Sequence, residues 1–217
     1  MASQIDRLAQ RNEMMRTFAA TFPDEWAQFR SEAIQAVQDR SNSDDEVAAL
    51  TYAFTRRFMA ERTDALVHAP DDNMQAMIEA DSSLMAHLQA TNVELCAIHA
   101  MTGIGPNDQL SPEIEALMST SGARRLEAVR AGLDQPQQRA DVAEDDILAL
   151  RDAMEEAGVS DQAITTFLEG DPATLSAQDQ CDSTVGLYRA LEALPDEQAA
   201  RIYGLILEGS AEAAAAP

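Results

Sequence analysis

Cys96 and His99 stand three residues apart in Leu95-Cys96-Ala97-Ile98-His99, a spacing that makes side chains neighbours on a helix. A thiolate and an imidazole so placed could open a zinc site, but a structural site takes four ligands. The chain holds only two cysteines and three histidines, so no second pair completes the set. His87, nine residues before Cys96, projects from the opposite face. No metal and no cofactor is expected. Two cysteines are also too few for a disulfide framework. Cys96 and Cys181 both fall within apolar helical patterns, where a free cysteine behaves as a small buried hydrophobe.

Nucleophilic chemistry has no support, because Gly-x-Ser-x-Gly, His-Glu-x-x-His and the P-loop are all absent. Gly103-Ile104-Gly105 is a fragment of a dinucleotide fingerprint, but it follows a helical pattern where the fingerprint requires a strand. Capping and a turn explain it. Paired carboxylates are plentiful, yet a chain this acidic generates them without acid–base design.

The acidic run is more suggestive. Asp141, Asp145, Asp152 and Glu156 recur at helical spacing, with Glu144 and Glu155 beside them and the apolar stripe of Ile147, Leu150 and Met154 elsewhere. A rigid row of carboxylates can dock a basic groove or imitate a phosphate backbone. The bland alternative is that an amphipathic helix needs a solvated face and this one is acidic. The four residues are the candidate partner-binding site.

Charge sets the context. The chain has 38 acidic and 15 basic residues, a net of −23, and every basic residue is arginine. Up to Pro70 there are 11 acids against 8 arginines, a net of −3; beyond it, 27 against 7, a net of −20. Such a field repels nucleic acid and anionic membrane and favours basic partners. Arginine for lysine with abundant alanine is also what a GC-rich bacterial genome writes, and acidity can serve solubility alone. Arg56, Arg57 and Arg62, then Arg124, Arg125 and Arg130, are too few for a nucleic-acid footprint. Pairing with the acidic half, which would dock the N-terminal helices, is the simpler use.

The elements that must position these groups are helical throughout. The chain predicts an all-α bundle of roughly nine helices, in one body or two lobes, with no sheet. The first helix starts near Ser3 and carries Asn12 on its apolar stripe. Pro23 opens the second, Ser43 and Glu46 form a capping box for the third, and that one runs to Ala69-Pro70. A short helix over 71–79 precedes a restart at Asp81 to Ser83. Leu84, Leu88, Leu95 and Ile98 form the next stripe, closed by Gly103. Ser111-Pro112 opens a helix that Gly122 interrupts. The polar stretch Asp134 to Ala140 is the best linker, dividing 1–133 from an acidic region 141–208, though both can pack as one domain. The tail 209–217 should fray. Two helical units echo weakly, Asp45 to Leu50 with Asp145 to Leu150.

No N-terminal signal-like block and no run of the ~20 apolar residues needed to span a bilayer occur, so a cytoplasmic place follows by default. The function this supports is a non-enzymatic acidic helical interaction protein that binds a basic or amphipathic protein. Regulators, adaptors, chaperones and immunity proteins share that composition. An enzyme or small-ligand binder with a site assembled between helices is the alternative, and a DNA-mimic inhibitor the third.

Overall fold

The computed structural model describes residues 10–39, 44–105 and 110–215, without the side chains of 36–48 and 211–215. Among the described residues all regular structure is helical. Eleven α-helices are present: α1 Glu13–Thr21, α2 Pro23–Asp39, α3 Asp44–Ala60, α4 Thr63–Val67, α5 Asp71–Thr91, α6 Val93–Thr102, α7 Pro112–Asp134, α8 Glu144–Glu156, α9 Asp161–Glu169, α10 Ala177–Ala193 and α11 Asp196–Ala215. A short 3-10 turn, Pro172–Thr174, links α9 to α10.

The centre of the molecule is α5. It packs against α7 and α10, then α11 and α6, and its stripe of Met74, Met77, Ile78, Leu84, Met85 and Leu88 is buried. The main apolar core runs in sequence from Phe18 to Leu207 and draws on α1 through α11 except α6. A second cluster joins Leu84, Leu88, Cys96, Ile104, Ile114, Cys181 and Val185 at the α6 end.

The N-terminal helices attach differently. Phe18, Phe22, Trp26, Phe29, Phe54 and Phe58 stack between α1, α2 and α3, with Phe18 and Phe22 each 4.9 Å from Phe58 in edge-on contact, the geometry that ring quadrupoles favour. Arg57 and Arg62, expected to pair with the acidic half and so dock these helices, pair inside the same group among the described residues, Arg57 with Glu32 and Arg62 with Glu25. What joins them to the rest is α1 on α7. Met14 N–H donates to Ser119 Oγ, Thr120 Oγ1 donates to Glu13, and Gly122 leaves room for the Met14 side chain.

Helix ends follow their caps in part. Asn12, expected on the apolar stripe inside the first helix, is instead the N-cap of α1, its side chain accepting from Met15 N–H. Ser111 caps α7 as its sequence suggests, and Gly103 (φ 75°) and Gly158 (φ 93°) close α6 and α8 in the left-handed region. Elsewhere the boundaries move. The third helix breaks at Glu61-Arg62, and α4 follows. No break occurs at Asp81; α5 runs through it to Asn92, which ends α5 and caps α6 through its side chain. Gly122 does not interrupt α7, and α11 continues to Ala215. Ile98, expected on a buried stripe, is about half exposed, as is Leu133. The start near Ser3 and the Ser43 capping box lie outside the described residues.

The stretch 134–140 is irregular but docked. Gln137 N–H donates to the His68 carbonyl, and its side chain exchanges hydrogen bonds with Asp71. Arg139, its side chain 8% exposed, donates to the Val67 and Ala69 carbonyls and to Asp71.

Candidate functional site

Three constellations carry chemistry, and the deepest surrounds Asp81. This carboxylate sits mid-helix in the apolar stripe of α5, 4% exposed. Ser121 and Arg125 reach it from consecutive turns of α7, Tyr203 from α11 and Tyr188 from α10. Ser121 Oγ donates to Oδ1 at 2.5 Å, while Arg125 and Tyr203 each donate to Oδ2 at 2.5 Å. The Tyr188 hydroxyl stands 3.5 Å away. Burying a carboxylate is costly unless it is paired and hydrogen-bonded, and here both oxygens are.

The surroundings respond. Proximity to Asp81 holds the Arg125 guanidinium even more firmly protonated than usual, and burial pushes both tyrosine hydroxyls well above their ordinary range. His99 approaches from α6. Burial lowers its pKa, with Asp81 opposing and Arg125 reinforcing the shift, and its Nδ1 is buried with no hydrogen-bond partner. The group is a buried knot in which both carboxylate oxygens accept from protein donors, Oδ1 from Ser121 and Oδ2 from Arg125 and Tyr203. The apolar cleft lined by Met14, Met15, Phe18 and Phe58 lies elsewhere, and no cluster of three or more metal-binding side chains occurs among the described residues.

The second constellation is the acidic face. Asp145, Asp152 and Glu156 lie on α8 and are exposed, as are Glu144 and Glu155. Asp141 is exposed too but precedes the helix, in the segment leading into it. None of these six carboxylates enters an ion pair or side-chain hydrogen bond among the described residues. On the same face, three residues after Asp145 and four before Asp152, Leu148 is 51% exposed. Asp146, within the same run, turns the other way. Its two oxygens take a bidentate pair from Arg201 at 2.8 and 2.9 Å, plus Gln198 and the Ala143 amide. The Arg201 hydrogen bonds, foremost, hold its carboxyl well below the usual range.

The third is covalent. Cys96 and Cys181 are not free thiols: they form a disulfide between α6 and α10, with Cα atoms 5.4 Å apart. The sequence placed both in apolar patterns correctly, but with 85 residues between them nothing in the spacing foretold the meeting. His99 does not share a site with Cys96, whose sulfur is committed.

Sequence reasoning missed the Asp81 knot, having taken Asp81 for a helix restart, although it expected Arg125 to pair with the acidic half, as it does with Asp81. The signal was present: an aspartate at the spacing of Met74, Met77, Ile78, Leu84 and Leu88 occupies a core position. Compared with protein-family models, curated proteins and solved structures, the chain matches none. Fold and constellations together define an all-helical bundle pinned by buried carboxylate–arginine pairs and one disulfide, with an unpaired acidic face.

Proposed function

We propose that the protein is a non-enzymatic binding protein whose acidic surface, Asp141 just before α8 with Asp145, Asp152 and Glu156 on it beside Leu148, docks a basic or amphipathic protein. The observation that carries this is the division of labour among carboxylates. Asp71, Asp81 and Asp146 are matched to Arg139, Arg125 and Arg201 inside the molecule, while the α8 carboxylates keep their charge for the outside. An exposed leucine ringed by acids suits a partner that offers an apolar contact within a basic rim. Charges so placed would steer association more than they tighten it.

A partner captured at low salt provides the test. Its association rate with the wild-type chain should fall steeply as salt rises. Asp145→Asn, Asp152→Asn and Glu156→Gln together should slow association by about tenfold or more at low salt, and Leu148→Ala should speed dissociation. Melting should stay unchanged, since surface substitutions cost within about 0.5 kcal/mol. A captured partner that binds the triple variant at the wild-type rate would remove this face from the account.

A further inference from the structure

We propose that this chain matures in an oxidising compartment, where a dithiol–disulfide donor joins Cys96 to Cys181 as α6 closes onto α10. This replaces the cytoplasmic default and stands independently of the acidic face.

Three observations carry it. The two cysteines are the only ones in the chain, and they meet from positions 85 residues apart. Both are 0% exposed, so the finished bond is closed to the attacking thiolate that reduction or exchange requires. A bond of that kind is a staple and not a switch, and cytosolic proteins of ordinary organisms seldom hold one. Third, α6 needs holding. It is a short helix between the Asn92 break and Gly103, it belongs to the smaller core cluster, and it packs chiefly on α10, less on α5. Its sequence is apolar nearly all round, yet Ile98 faces out, 47% exposed, so its burial is incomplete. The disulfide fixes it to α10 and keeps His99 beside the Asp81 knot.

The step is an exchange. One cysteine thiolate attacks the donor disulfide, giving a mixed disulfide and one donor thiolate. The other cysteine thiolate then attacks the chain's sulfur in that mixed disulfide and displaces the donor's second sulfur. The chain loses two electrons and two protons; the donor gains both and leaves as a dithiol. Because the closed pair is inaccessible, the exchange precedes full docking of α6.

The test begins with the protein as its own cells make it. Cells are quenched directly into acid and denaturant, then treated with a maleimide, and the intact mass is read. No adduct, a mass two hydrogens below the dithiol form, and two adducts after reductant are expected. Two adducts without reductant would overturn the proposal. Purified oxidised protein should also melt about 5–15 °C above the Cys96→Ser/Cys181→Ser double variant, and amide exchange over α6 should be faster in the variant. Equal melting and equal exchange would show that the bond holds nothing, and the staple reading would fall.

Discussion

His99 is held where a proton is unwelcome. Its Nδ1 is buried without a hydrogen-bond partner, and the charge on Arg125 opposes its protonation. Burial, the larger cause, lowers its folded pKa below the ordinary value near 6.5. Below that value the unfolded chain therefore binds more protons than the folded one, and stability rises with pH through this window. The contribution is complete above about pH 6.5 and is lost as pH falls toward the folded value. Urea midpoints measured from pH 5 to 8 should fall on the acid side in the wild type. They should fall less in His99→Gln, where that titration is gone. Parallel profiles for the two proteins would show that His99 does not titrate differently on folding. At this scale legibility was uneven. Asp145 and Asp152 read correctly as exposed because their spacing opposes the apolar stripe. Asp146, one residue from Asp145, could not be separated from its neighbours, since only the fold brings Arg201 to it.

Among the elements, α7 approaches α4 closely at Gly132. Gly132 lies where α7 crosses Ala65 and Ala69, and a Cβ there would overlap the Ala65 carbonyl oxygen. Backbone cannot yield as a flexible side chain can, so Gly132→Ala should destabilise by about 3 kcal/mol. Denaturant melting would measure it. At Gly122 the obstacle is the end of the Met14 side chain, so Gly122→Ala should cost less. Equal costs would mean that α4 shifts freely. Helix ends marked by a side chain or glycine of fixed conformational need, such as Ser111 and Gly103, were readable. The break at Asn92 was not, because Asp81-Ser82-Ser83 offers the better local stop signal. Tertiary burial of α5 through Asp81 overrides it.

On the scale of the whole molecule, the helical class and the concentration of negative charge were open to reading, because both are sums over many residues. The pairings were not. Arg125, Arg139 and Arg201 look alike in a list of arginines, yet each closes on an aspartate 44 to 68 positions away. One of them has a consequence for proteolysis. With no lysine in the chain, a protease specific for basic residues can cut only after arginine. The irregular segment 134–143 is the place where a polypeptide usually threads such an active site. Arg139 is withheld: its guanidinium is sunk against the Val67 and Ala69 carbonyls and Asp71. Limited digestion should spare the bond after Arg139 until the protein unfolds, and Asp71→Asn should expose it, as mass spectrometry of the first fragments would report. An early nick after Arg139 in the wild type would mean that the segment swings free. If the bond is spared, a stretch with the composition of a linker serves as a clasp, and the two flanking regions cannot be separated by cutting there.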